Sequence, residues 1–299
     1  MDKQVQVSFV TVNYNGLADT IELVHSIQEV IHSVEYEIII VDNASRNNEV
    51  LLLQKEFPEL KIIQSPTNGG FACGNNIGIR HAVGKYLFLI NNDTFIKEDH
   101  VSELIQRMEE HPGIGGISPL IRFAYPPQNV QYAGFSPLSS ITLRNKGIGY
   151  GEQNDERFHI PQPTSFLHGA AMMIKKEVVQ KVGMMSEQFF LYYEEMDWCT
   201  QIINAGYELW YDPILTVFHK ESQSTGKSSN LQVFYLTRNR MLYAWRNLHG
   251  INRILSLLYL STIAALKSSV HYCMKGCFRQ AFIVFRAIVA FIKLPSKLN

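Results

Sequence analysis

The stretch YLFLINNDTF, Tyr86 to Phe95, runs five apolar residues straight into the polar block Asn91-Asn92-Asp93-Thr94. A short apolar run without alternation reads as a strand buried on both faces, the kind found in parallel sheets covered by helices. The polar block then sits at the carboxyl end of that strand. In open α/β sheets this edge is where ligands bind.

The same pattern repeats on either side. Apolar runs at 5–12, 36–41, 60–64 and 114–118 alternate with helical periodicity at 18–33, 48–57, 74–83 and 100–110, which predicts an α/β fold with a helix-covered parallel sheet. Residues 122–162, rich in Pro, Gly and Tyr, read as a long insertion or lid. A strand leading into a helix follows at 164–183, then a helix at 195–204 stopped by Gly206 and a strand at 207–211.

A chain of 299 residues, 46% hydrophobic and 18% charged, has the composition of a globular protein with a substantial core, which excludes a disordered chain. The net charge is zero, yet eleven of the 27 basic residues and none of the 27 acidic ones lie in 222–299. An acidic body is thus joined to a basic tail, whose natural partner is an anionic surface. In the tail Phe278, Phe282, Phe285, Val289 and Ile292 recur at helical intervals while Arg279, Arg286 and Lys293 repeat every seven residues. This predicts a basic amphipathic helix lying in an anionic membrane interface; packing on the protein's own core or in a dimer is the alternative. The apolar run 254–266, thirteen residues long, falls short of the roughly 20 needed to span a bilayer. No nucleic-acid-binding motif is present, so nucleic acid is not an expected partner. The N-terminal residues show no leader pattern, and Cys73, Cys199, Cys273 and Cys277 follow no disulfide or metal spacing. A reducing, cytoplasmic compartment is expected.

Four polar clusters fall at predicted strand ends: TVNYNG (11–16), VDNAS (41–45), NGGFACGNNIG (68–78) and NNDT (91–94). Asp42, directly after the second strand, suits hydrogen bonds from a ribose or a base. The first strand is not followed by G-x-G-x-x-G, and the glycine cluster lacks the Lys and hydroxyl of a P-loop, which argues against a nicotinamide enzyme and a P-loop enzyme. That cluster fits turn chemistry and helix capping as well as it fits a ligand site. Asp93, flanked by amides, is placed either to bind a hard divalent cation or to cap a helix. Glu194-Glu195-x-Asp197 follows the aromatic run 189–193. Carboxylates against rings suit a general base, while acids in a first helical turn equally favour the helix dipole. His219 is open to a structural or a functional role.

Taken together, the chain resembles glycosyltransferase family 2, in particular its rhamnosyltransferase-like branch of bacterial polysaccharide synthesis. The resemblance runs in order through VTVNYNG, IIIVDNAS, NGGFACGNNIGI, YLFLINNDT, FLHGAAMMIKKEV, FFLYYEEMDWCTQIINAGYELWYDP, VFHKESQST and YLTRNRMLYAW. It implies a GT-A fold over 1–226, with a mixed, mainly parallel sheet flanked by helices, and a basic helical extension over 227–299. It also implies an inverting enzyme that uses a nucleotide-sugar donor, dTDP-rhamnose in that branch, and Mg²⁺ or Mn²⁺. The acceptor would be a glycan or a lipid-linked glycan, met at the inner face of the cytoplasmic membrane.

The resemblance also implies roles for individual residues. Thr11, Asn13 and Asp42 would hold the base and ribose, while Asn68, Gly70, Asn75 and Asn76 would border the donor. Asn91-Asn92-Asp93 stands at the family's Asp-x-Asp position, with Asp93 on the metal, His219 approaching from the other side, and Arg238 and Arg240 holding the diphosphate. Glu194 and Asp197 would lie toward the acceptor, with Glu195 as catalytic base. Asn91 replaces the first acid of the motif and removes one negative charge. A non-catalytic nucleotide-sugar-binding or assembly protein is the alternative from another class.

Overall fold

Along the central strand Tyr86, Phe88 and Ile90 enter one layer of core and Leu87 and Leu89 the other, so the unalternating run is buried on both faces. The computed structural model describes residues 4–221 and 229–294, and the expected boundary at 226/227 lies outside them. The first half of the chain runs β1 (Val7–Asn13), α1 (Leu17–Val30), β2 (Tyr36–Asp42), α2 (Glu49–Glu56), β3 (Lys61–Gln64), α3 (Gly70–His81), β4 (Tyr86–Ile90), β5 (Thr94–Ile96) and α4 (Val101–Glu110). Then come β6 (Ile114–Phe123), β7 (Val130–Tyr132), β8 (Gln162–Pro163), β9 (Ala171–Lys175), α5 (Lys176–Val182), α6 (Glu194–Asn204) and β10 (Glu208–His219). The tail forms α7 (Asn230–Asn247), α8 (Gly250–Tyr259), α9 (Ala265–Met274) and α10 (Phe278–Ile292).

Strand order is β3-β2-β1-β4-β9-β6-β10-β5, with β7 beside β6 and β8 beside β10. The first four of these strands are parallel; β9 enters antiparallel between β4 and β6, and β5 is antiparallel to β10. The sheet is mixed and mainly parallel. Helices α1, α2 and α4 cover one face through Leu23, Val24, Leu53 and Leu104, and α3, α5 and α6 cover the other through Ala72, Ile79, Val178 and Trp198. Strands β2 and β4 flank β1 on opposite sides, and the polar loops leaving these strands gather at the carboxyl edge of the sheet.

Helix α3 begins at Gly70, four residues before its predicted start. The glycines that disguised it allow a close approach: a β-carbon on Gly78 would lie 2.2 Å from Val10 of β1. Segment 122–162, expected as a long insertion or lid, is anchored in the sheet: β7 pairs with β6, and Val130 and Tyr132 are fully buried in the core. Strand β10 runs on to His219 instead of stopping at 211. Pro213, which interrupted the pattern, lies in a register shift between Asp212 and Thr216, where a residue without an N–H is tolerated.

The tail joins the body through a shared core of Leu143, Phe189, Met241, Leu242 and Tyr243. Helix α8, a π-helical turn at Leu260–Ala264 and α9 form one helix of 25 residues, Gly250–Met274, long and apolar enough by length and composition to cross a membrane. The apolar run 254–266 understates this length because the helix continues past Arg253 and Lys267. Helix α10 buries Ala281, Val284, Ala287 and Phe291 and packs on α7 and α9. The predicted apolar stripe Phe278, Phe282, Phe285, Val289 and Ile292 faces outward and is exposed.

Candidate active site

The turn after β4 is built by Asn91, whose N–H donates to the Ala170 carbonyl at 2.9 Å and whose own carbonyl accepts the Thr94 hydroxyl at 2.7 Å. Strand β5 then pairs with the end of β10, setting Thr94 opposite His219. The register brings His219 Nε2 to 3.1 Å from Asp93 Oδ1, with both residues buried. On the other side of the ring Gln131 Oε1 lies 2.8 Å from Nδ1. With that oxygen accepting the Nδ1 proton, a neutral ring turns its Nε2 lone pair toward Asp93, so two acceptors meet at one point. A cation or a second proton satisfies such a pair. Among the described residues no group of three His, Cys, Asp or Glu side chains could hold a metal by itself. The pair therefore fits a divalent cation that completes its shell with ligand oxygens and water, as Mg²⁺ does on phosphates.

At the carboxyl ends of β1 and β2 Asn13 and Asp42 are buried and bonded to each other at 2.8 Å. Asn13 also donates to Glu49 at 2.8 Å and accepts from Thr20 at 2.7 Å, so its amide is spent on fixing the end of β1. Asn92 joins the same network through Thr20 at 3.0 Å. Thr11 Oγ1 is buried without a hydrogen-bond partner. Asn43 organises the next loop: its side chain donates to Asn68 and to the Gly70 carbonyl, both at 3.0 Å, and accepts from Gly69 N–H. Asn75 caps within its helix on the Phe71 carbonyl. Asn76, expected beside the donor, is buried and holds the backbone of Met185 from both ends of its amide, so it ties α3 to the segment after α5.

Helix α6 carries the acidic pair, and the loop before it is unusual. Phe190, Tyr192 and Tyr193 all have positive φ, at 66°, 69° and 75°. Such backbone is disfavoured for aromatic residues and has to be held from outside. Asn239, fully buried on α7, donates to the carbonyls of Phe189, Leu191 and Tyr192 at 2.7–2.8 Å. Arg238, expected on the diphosphate, instead donates to the Gln188 and Phe189 carbonyls at 2.7 Å. It also fixes the Asn239 amide by donating to its oxygen. Arg240 likewise reaches the Thr142 carbonyl. From the other side Phe71 N–H donates to the Phe190 carbonyl at 2.8 Å. Gly70, with φ of +82°, lies so close that a β-carbon there would stand 1.9 Å from that oxygen.

The clamped loop delivers two carboxyls whose Oε2 atoms are both buried and without hydrogen-bond partners. Burial and the neighbouring Glu195 charge push the Glu194 carboxyl well above the usual carboxylate range, and burial raises Glu195. Asp197, expected on the acceptor side, is anchored on α7 by Arg246 at 2.9 Å and Asn247 at 2.7 Å, and acts as a strut between helices. Glu195 passes beside Gly169, where a β-carbon would lie 3.9 Å from its Cγ. The preceding residue in the chain, His168, stands with its ring centroid 6.3 Å from that of His219. His168 Nδ1 accepts the Ala170 N–H at 3.1 Å, and burial drops its pKa to about 3, so it is a neutral ring with its proton on Nε2. Glu195, His168, His219 and Asp93 thus follow one another along the carboxyl edge. Sequence reasoning missed Asn43, Gln131, His168 and Asn239, although Asn43, His168 and Asn239 lie inside the stretches that carried the resemblance.

The arrangement has clear relatives. A Low-salt glycan biosynthesis hexosyltransferase, Agl10, of Haloferax volcanii is 28% identical over 79% of this chain and 74% of that one. A dTDP-rhamnosyl transferase, RfbF, of Shigella flexneri is 24% identical over 80% of this chain and 82% of its own length. Among solved structures, GalNAc-T7 with UDP, GalNAc and Mn²⁺ superimposes with a TM-score of 0.61 at 16% identity, over 91% of this chain and 59% of that one, and shares the GT-A fold. The Glycosyl transferase family 2 profile matches residues 8–183, from the first strand through the helix after β9, and the chain belongs to that family.

Proposed function

We propose that this protein is an inverting glycosyltransferase that moves a sugar from a nucleotide diphosphate onto a glycan or lipid-linked acceptor. The observation that carries the reading is the run Glu195, His168, His219 and Asp93 along one sheet edge. Glu195, its carboxyl raised by burial, takes the proton from an acceptor hydroxyl. That oxygen attacks the anomeric carbon from the face opposite the diphosphate; the new glycosidic bond forms as the sugar–phosphate bond breaks, and the configuration inverts. Asp93 and His219 would hold Mg²⁺ or Mn²⁺, which supplies neutralisation of the charge left on the departing diphosphate. The neutral His168 offers its Nε2 proton to a sugar hydroxyl between the two ends. Asn13, Asp42, Asn43 and the 68–70 loop shape the base and ribose side.

Rhamnose carried on dTDP is the donor favoured by the likeness to the Shigella flexneri enzyme. A thermal-shift screen of nucleotide sugars, with and without Mn²⁺ or Mg²⁺, tests donor and cation together. Stabilisation by a nucleotide sugar that needs the cation is expected; stabilisation by NAD or by no nucleotide speaks against it.

The tail supports a site of action at the inner face of the cytoplasmic membrane. Ile251, Ile254, Leu258, Ile263 and Leu266 on the long helix and the outward stripe of α10 are exposed together in a segment with no acidic residue. Apolar side chains among Lys and Arg suit insertion into an anionic leaflet.

A further inference from the structure

Thr20 stands where the periodicity of α1 calls for an apolar side chain. The buried face of that helix is Thr20, Leu23, Val24 and Ile27, and Thr20 is fully buried. A valine has the same shape and needs no hydrogen bond, whereas a buried hydroxyl must be satisfied. Here the hydroxyl is used twice. It donates to Asn13 Oδ1 at 2.7 Å and accepts from Asn92 Nδ2 at 3.0 Å; the Gly16 carbonyl, at 3.1 Å, is a longer alternative for the same proton.

The bonds run in one direction. Asn92 donates to Thr20, Thr20 to Asn13, and Asn13 to the carboxyl groups of Asp42 and Glu49, both at 2.8 Å. Donors aligned in this way polarise and strengthen one another in a buried setting. The chain crosses the carboxyl edge of the sheet, from the turn after β4 through α1 to the ends of β1 and β2. Its first link has little slack: Asn92 Nδ2 also donates to the Gly16 carbonyl at 3.3 Å, and a β-carbon on Gly16 would stand 2.4 Å from that nitrogen. Asn92 is followed directly by Asp93, which the pairing of β5 with β10 sets beside His219 on the other side.

We propose that Thr20 is a positioning residue that sets the Asn92-Asp93 turn, and with it the cation, against the base and ribose side of the nucleotide. The inference rests on the glycosyltransferase reading and adds to it a residue outside the polar clusters at the strand ends. Pairing within the sheet fixes where β4 ends; the bond to Thr20 fixes how the turn leaving it faces β1 and β2. Without the hydroxyl, Asn13 is still held by Asp42 and Glu49, so the base side keeps its shape while the turn loses its tie. The loss therefore falls on the cation and not on the base.

The test titrates Mn²⁺ into the full chain with dTDP, UDP or GDP and reads nucleotide binding by calorimetry. For the diphosphate that binds, Thr20→Val should raise the Mn²⁺ concentration at half-saturation about threefold or more, the size of effect found for residues that couple two sites. Binding of the matching nucleoside monophosphate in EDTA, which reads the base and ribose side alone, should stay within about twofold of the parent. Thr20→Ser keeps the hydroxyl and should keep the parent midpoint. Asn92→Leu cuts the same link from its half-buried end, and combined with Thr20→Val it should add little to either change, as the two ends of one contact do. Circular dichroism and thermal unfolding establish that the variants are folded; a core role alone would lower the melting temperature and leave the midpoint in place. A parent midpoint in folded Thr20→Val and Asn92→Leu, a serine variant that behaves like the valine one, or equal losses of monophosphate and cation binding would overturn the proposal. Cation-independent binding, or no nucleotide binding at all, by the intact protein would instead remove the glycosyltransferase reading itself.

Discussion

Nε2 of His219 stands 3.1 Å from Oδ1 of Asp93, although 126 positions of sequence separate the two residues. The sheet makes the contact: β5 and β10 pair with Thr94 opposite His219, and Lys220 N–H closes the ladder on the Asp93 carbonyl at 2.9 Å. Gln131 then fixes the tautomer by meeting Nδ1 at 2.8 Å. Gln131→Leu should therefore lower the apparent affinity for Mn²⁺ or Mg²⁺ by about tenfold or more, the usual effect of losing an outer partner of a metal-binding histidine. A cation titration of nucleotide-sugar binding reads it. An unchanged midpoint would show that the tautomer does not matter.

Asn239 holds three carbonyls of a loop whose backbone is left-handed at Phe190, Tyr192 and Tyr193. Asn239→Ala takes the side-chain donor from the Leu191 carbonyl, while Arg238 still holds that of Phe189, so a loss of about 1–3 kcal/mol is expected in urea unfolding. Under conditions where the variant is folded, kcat should fall more than donor affinity, because the loop positions Glu194 and Glu195. A change confined to donor affinity would place the loop on the other side of the reaction.

Glu194 predicts a pH signature. Burial and the Glu195 charge hold its carboxyl above the usual range, so its folded-state pKa exceeds the unfolded one. The folded protein keeps this proton more tightly, and stability falls as pH rises from the unfolded value through the folded one. Glu194→Gln removes that penalty. The variant should be more stable than the parent near pH 8 and show no such gain near pH 4. Chemical unfolding at the two pH values decides it, and an equal effect at both would contradict the assignment.

The outward face of α10 carries the membrane prediction. Phe282 and Phe285 are 63% and 51% exposed, between Arg279 and Arg286. The intact protein should float with anionic vesicles at low salt. Phe282→Asp with Phe285→Asp should abolish flotation without unfolding the chain, because neither side chain belongs to the buried face. Failure of the intact protein to bind such vesicles would remove the membrane from the account.

The periodicity of short apolar runs was enough to read β1, β2, β3, β4 and the start of β6 to within a few residues, because a buried parallel strand has little sequence freedom. What local pattern hid were features settled by distant partners. Pro213 masked the continuation of β10, since only the sheet shows that a bulge absorbs it. The α10 helix was legible as amphipathic, yet its small residues Ala281 and Ala287, not its outward phenylalanines, face the protein. In the site, the acids were visible because carboxylates beside aromatic residues are rare in a buried stretch. The roles of Arg238, Asp197 and Asn76 were not, since an arginine for a diphosphate and one for the carbonyls of a loop look the same until the loop is folded.

The central claim is that Glu195 is the base, and Glu195→Gln tests it most directly. The variant keeps the size of the side chain and cannot take the proton. Single-turnover sugar transfer, measured beside nucleotide-sugar binding by calorimetry, should fall by about 10²–10⁴ while donor affinity stays within about twofold. Transfer at the rate of the unchanged protein would contradict the account.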